Sequence, residues 1–171
     1  MSRAWPVPDL DPEAPLATNA RRTIAVRTAE LFSYAPVIPE AEATQGLHDA
    51  RIAAKRLRYT LELFRAVFGD EGERAIDQIK TLQEELGQLH DHDVRLALIA
   101  EELGSLPDGA GAEDDADDLK PGLEALLDQE QTSRAKRHAA VVKRWRRLER
   151  AGLRAALVRL SATPLPDSAS R

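Results

Sequence analysis

Residues 47–68 read LHDARIAAKRLRYTLELFRAVF, and the spacing of two residue types within them decides the fold. Leu47, Ala50, Ala54, Leu57, Leu61, Phe64 and Phe68 recur every three or four positions, which sets them on one face of an α-helix. His48, Arg51, Lys55 and Arg58 repeat that rhythm one residue later, about 100° further around the axis. The basic stripe therefore borders the apolar face instead of opposing it, and none of its four positions holds an acid. The pattern predicts a helix that buries one side in a core and offers a row of cations along its rim to an anion.

The remainder of the chain supports helices. Its 171 residues suit one domain with a sizeable core. Alanine, leucine, arginine and glutamate dominate, while aromatic residues make up only 4%, a balance that favours helix over strand. With no cysteine, disulfides and thiolate metal sites are excluded. No apolar run reaches membrane-spanning length, and MSRAWPVPDLDPEAP at the N-terminus lacks the apolar centre of a signal peptide. A cytoplasmic, all-α protein is expected.

Four helices are predicted, forming an antiparallel four-helix bundle. Residues 1–15 read as an irregular arm rich in proline and acid. Helix one is expected over Leu16 to Tyr34, before Pro36, and helix two over Ala43 to Phe68, stopped by Gly69. The third is expected over Asp70 to Leu103, ending at Gly104 and Pro107, and the fourth from Lys120 to Leu160 with Pro121 in its first turn. The bundle thus spans 16–163, and residues 164–171 read as a disordered tail.

The formal net charge of −5 conceals segregation. Residues 108–118, DGAGAEDDADD, hold six acids and no base, whereas residues 134–159 hold ten bases and the single acid Glu149. On helix four, Arg134, Arg137, His138 and Arg144 border the apolar sector of Val141, Trp145 and Leu148. Lys136, Lys143, Arg147, Arg150 and Arg154 lie on another side and read as a solvated face. Two helices that each place bases beside an apolar seam are expected to bring them together at one rim, joined by Lys80, where repulsion calls for a compensating anion. Arg56 points away from the apolar face of helix two and is expected to contribute little.

Catalytic motifs are scarce. LHDHDV, residues 89–94, suggests a metal site, but His90 and His92 stand two apart on nearly opposite sides of a helix and cannot chelate one ion. EAEAT, residues 40–44, approaches the E-x-E-x-K signature of enzymes that hydrolyse triphosphates inside a β-tunnel, yet threonine replaces the lysine and no strands surround it. There is no Walker-type phosphate loop and no nucleophile elbow. The reading is a non-enzymatic protein without metal or cofactor.

The combination of His48-x-x-Arg51-x-x-x-Lys55-Arg56-x-Arg58 with Leu86-Gly87-x-x-His90-Asp91-x-Asp93-Val94 and a basic fourth helix resembles the CHAD family, the conserved histidine α-helical domains. The resemblance covers about residues 47–160. It implies a helical bundle that binds inorganic polyphosphate through a basic surface, with an association with polyphosphate granules. His48 matches the histidine for which the family is named, and Arg51, Lys55 and Arg58 match its basic helix. Many members carry arginine where this chain has His90. The full family unit comprises two four-helix bundles where this sequence predicts one, so a homodimer that restores the second bundle is expected.

The residues independently suit such a ligand. A phosphate chain presents dense charge without base edges, so spaced cations suffice to hold it. The expected polyphosphate contacts are His48, Arg51, Lys55, Arg58, Lys80, His90, Arg134, Arg137, His138 and Arg144. Nucleic acid shares the phosphates but is usually met with aromatic stacking platforms. Here Trp145 falls on the core face and Tyr59 reads as isolated, so nucleic acid is the rival, together with a helical adaptor for an acidic protein.

Overall fold

The computed structural model describes residues 3–106 and 114–162, without the side chains of 114–118. The expected tail at 164–171, and the acidic loop over 107–113, lie outside the described residues. Among those described, the protein is all-α, with five helices: α1 (Leu16–Phe32), α2 (Thr44–Leu63), α3 (Arg65–Ser105), α4 (Asp114–Arg150) and α5 (Leu153–Ala162).

Local chemistry sets most of the boundaries. Gly69 adopts φ +52 inside α3, a left-handed conformation that glycine takes without a Cβ penalty, so the expected stop becomes a kink within one element. At Gly152, φ reaches +76. Its N–H donates to the Glu149 carbonyl at 3.0 Å and that of Ala151 to Arg147 at 2.9 Å, closing α4 with a glycine C-terminal turn. The expected fourth helix is therefore two, and α5 supplies the final stretch. Its start also differs: α4 begins at Asp114, so Pro121 lies about two turns inside and residues 114–118 are helical.

The predicted apolar stripe is the core. Leu47, Ala50, Ala54, Leu57 and Leu61 are buried against Ile24 and Leu31 of α1, Ile79, Leu82, Leu86 and Leu89 of α3, Val141, Trp145 and Leu148 of α4, and Leu153, Leu157 and Leu160 of α5. Each fully buried leucine contributes about 1.5–3 kcal/mol. Phe64 is only half-buried, because the chain turns there between α2 and α3.

The arm, residues 3–15, is irregular but anchored. Asn19 exchanges hydrogen bonds with the Asp11 backbone, Arg22 donates to the Asp9 carbonyl, and Arg27 reaches the Trp5 carbonyl. Arg27 also grips Glu30, which is fully buried, and Arg56 from α2 grips the same carboxylate at 2.7 Å. Arg56 thus has a structural partner that its position opposite the apolar stripe did not suggest: its flank of α2 is covered by α1, and its charge holds a buried acid.

The neighbour order of the helices positions the candidate site. α3 packs extensively against both α2 and α4, while α1 bridges α2 and α5. On α3, Gly87 lies beside Arg51 of α2 and Glu85 receives Arg144 of α4. Two helical residues subtend about 200°, so α2 and α4 occupy nearly opposite flanks of α3.

Candidate anion-binding site

The α2 rim runs antiparallel along α3. His48 meets His90, with Nδ1 atoms 3.3 Å apart and ring centroids 4.4 Å apart. One turn on, a methyl group placed on Gly87 would touch Arg51 Nε at 3.6 Å, so the guanidinium lies along a stretch of α3 that carries no side chain. The same register brings Gln83 level with Lys55, and Lys80 level with Arg58. Lys55 and Lys80 are exposed; His48, Arg51, Arg58 and His90 are half-buried. The six residues form one strip at the α2/α3 seam.

Its charge is largely uncompensated. No acidic partner stands within ion-pair distance of Arg51, Lys55 or Lys80 among the described residues, and Arg58 has only Glu62 at 3.6 Å. Arg51 Nε, Arg58 Nε and Gln83 Oε1 are out of contact with solvent and make no hydrogen bond among the described residues, so the seam holds buried polar atoms that the fold itself leaves unsatisfied. Burial lowers the His48 pKa below the ordinary histidine value; His90 and Arg51 lower it further, and Asp49 opposes them. Tyr59 is not isolated as the sequence suggested: its ring lies 5.6 Å from Lys55 Nζ and 4.6 Å from the Arg58 guanidinium carbon, within cation–π range.

The expected helix-four contacts do not join this strip. Arg134 ion-pairs with Asp93 and donates to the Ala41 carbonyl at 2.9 Å, pinning the α1–α2 connection. His138 is buried and its Nε2 donates to the Ile38 carbonyl at 3.0 Å, fastening the same connection. Arg144 places two nitrogens on Glu85, at 3.1 and 3.0 Å. Arg137, two turns before Arg144 on the same face, is half-exposed. Convergence at one rim is thus replaced by separation across α3, with Arg134 and Arg144 held by the α3 acids Asp93 and Glu85.

The LHDHDV segment splits as its spacing requires. His90 turns to α2, whereas His92 turns to α4 and donates to Glu130 at 2.7 Å. Burial pushes the Glu130 carboxyl up, but hydrogen bonds from Arg95 and His92 outweigh it and hold the pKa below its usual value. Among the described residues, no three His, Cys, Asp or Glu side chains are grouped to hold a metal ion, and no helix is long and apolar enough to cross a membrane.

No curated protein and no solved structure matches this sequence. A model of the CHAD domain matches residues 2–100. That segment holds the arm, α1, α2 and α3 as far as Ala100, with every residue of the His48 to Arg58 rim and its α3 partners, while α4 and α5 fall outside it. As the match spans more than half of the 171 residues, the chain belongs to the CHAD domain family.

Proposed function

We propose that this protein binds inorganic polyphosphate, without catalysis, along the α2/α3 seam. The CHAD domain is associated with polyphosphate binding in general. The observation that carries the assignment to this seam is that Arg51, Lys55 and Lys80 lack acidic partners among the described residues, whereas Arg134 and Arg144 are held by Asp93 and Glu85. An extended anion lying along the seam meets Arg51 and Arg58 as forked donors, Lys55 and Lys80 as mobile point charges, and His48 and His90 as donors that strengthen on protonation. Cytoplasmic polyphosphate granules are the place where such a binder would act.

The position of Tyr59 between two cations favours a second reading, a single-stranded nucleic acid whose bases stack on the exposed ring. Competition separates the two: labelled long-chain polyphosphate is bound, then challenged with single-stranded DNA or RNA of equal charge. Polyphosphate retention supports the first reading. Equal displacement, with loss of nucleic-acid affinity in Tyr59→Ala, supports the second. The proposal extends to a homodimer in which two α2 rims share one chain, tested by light scattering with and without polyphosphate.

A further inference from the structure

Lys143, Arg144, Arg146, Arg147 and Arg150 crowd the C-terminal half of α4, and all but Arg144 are exposed. They are arranged around grooves, not only on a convex face. Lys143, Arg144, Arg147 and Arg150 line one of about 400 Å³ against Glu85, with Ala140 leaving it open. A second, at Ala139 and Val142, shares Lys143 and Arg150 and adds Arg146. Glu85, which lines the first groove, already receives Arg144, and Asp77 lines an adjoining pocket beside Arg144 and Arg147. No ion pair engages Lys143, Arg146, Arg147 or Arg150 among the described residues.

This groove is cut off from the α2/α3 seam. The two lie on opposite flanks of α3, and the exposed face between them carries Glu84 and Asp91. Spaced by seven residues, these acids stack in a line along the helix. A polyanion that leaves one flank for the other must cross that line against repulsion. The flanks are therefore two separate basic surfaces.

The geometry points to a second, independent polyphosphate site in the α4 groove, which makes the protein a bivalent linker of polyphosphate chains. This rests on the proposed function of the seam. The ligand class follows from what the groove lacks: Trp145 and Leu148 are buried in the core, leaving cations, alanines and a half-buried valine. There is no exposed ring for a base and no deep apolar anchor for a peptide, so a featureless repeating anion fits best. A linker that joins chains condenses them, as a granule requires.

A bridging assay tests the inference. Polyphosphate immobilised on beads captures the protein, unbound protein is washed away, and fluorescent polyphosphate is added. Wild type is expected to retain the second chain. The Lys143→Gln, Arg147→Gln, Arg150→Gln variant is expected to be captured as wild type is, yet to lose about tenfold or more of the retained fluorescence. Capture without retention by wild type, or undiminished retention by the variant, overturns the second site and leaves the seam assignment standing. Displacement of the second chain by polyglutamate of equal charge as readily as by polyphosphate overturns the ligand class. Failure of wild type to be captured at all rejects the seam reading, and bivalency with it.

Discussion

His48 and His90, forty-two positions apart in the chain, face each other across the α2/α3 seam with their Nδ1 atoms 3.3 Å apart. A hydrogen bond at that distance needs one Nδ1 to carry a proton and the other to be bare. Burial together with His90 and Arg51 already keeps the His48 pKa low. The free protein therefore favours neutral His48, and this contribution to stability is complete above about pH 6.5, the unfolded value. It declines as pH falls below that value and is lost once pH has passed through the lower folded pKa. A bound polyanion acts in the opposite direction by raising the His48 pKa. Polyphosphate affinity is thus expected to rise as pH falls below about 6.5 and to level off once His48 is protonated without ligand. Calorimetric titration across this range checks it, and a His48→Asn, His90→Asn variant that keeps the full pH dependence would place the effect elsewhere.

In the Lys143→Gln, Arg147→Gln, Arg150→Gln background, which silences the α4 groove, removing the unpaired cations of the seam is expected to weaken binding without unfolding the protein. Arg51→Gln with Lys55→Gln deletes two charges that neutralise no acid, one of them carrying a buried Nε with no partner. With charge-assisted contacts at about 1.5–3 kcal/mol each in buried settings and less at exposed ones, the loss should be about 10- to 100-fold. Arg56 is unsuitable as the control, because Arg56→Ala takes away one of the two arginines on the fully buried Glu30 and is expected to cost about 1–3 kcal/mol of stability. Arg74→Gln with Lys136→Gln removes equal charge from exposed positions off the seam and should change affinity far less. Equal losses in both double variants would reduce the site to diffuse attraction.

The contrast between Arg51 and Arg56 also marks what the sequence could reveal. Period fixes the azimuth of each side chain about its own helix axis, so the core stripe of α2, the basic rim beside it and the divergence of His90 from His92 were all legible. Period says nothing about which helix lies against which flank. That α1 brings Glu30 to Arg56, and that α3 stands between α2 and α4, depends on packing order, and the expected convergence of the two basic helices failed for that reason. The division at Gly152 was missed because apolar spacing continues through it into Leu153, Leu157 and Leu160. The acids after Glu113 were read as loop from composition, although acids equally suit the first turn of a helix.

Two glycines are expected to respond to alanine with opposite signs. A Cβ on Gly72 would lie 2.5 Å from the Cβ of Phe68, an atom fixed by the backbone that cannot rotate away. Gly72→Ala must therefore distort the kink after Gly69 and should lower the melting temperature. Gly122 lies within α4 with nothing inside 4 Å of an added methyl, so Gly122→Ala should gain up to about 1 kcal/mol from helix propensity. Thermal unfolding of both variants decides, and a stabilised Gly72→Ala would mean the kink tolerates more than its geometry suggests.

Binding at the seam is expected to be electrostatic, independent of metal and without turnover. The Lys143→Gln, Arg147→Gln, Arg150→Gln background leaves the α2/α3 seam as the reporter. Four permanent cations line it: Arg51, Lys55, Arg58 and Lys80. If each neutralises one phosphate, log affinity should fall with log salt at a slope of about −3, taking about −0.7 per phosphate by analogy with single-stranded nucleic acid. Adding Arg51→Gln and Lys55→Gln should flatten the slope by about 1.4, because two fewer counterions are released. Binding should persist in excess chelator, and no orthophosphate should accumulate during prolonged incubation with magnesium or manganese. A slope unmoved by the double substitution would remove Arg51 and Lys55 from the contact. Phosphate release that disappears in His90→Ala would replace a binding protein with an enzyme, because general acid chemistry would then be the simplest role for a histidine in the seam.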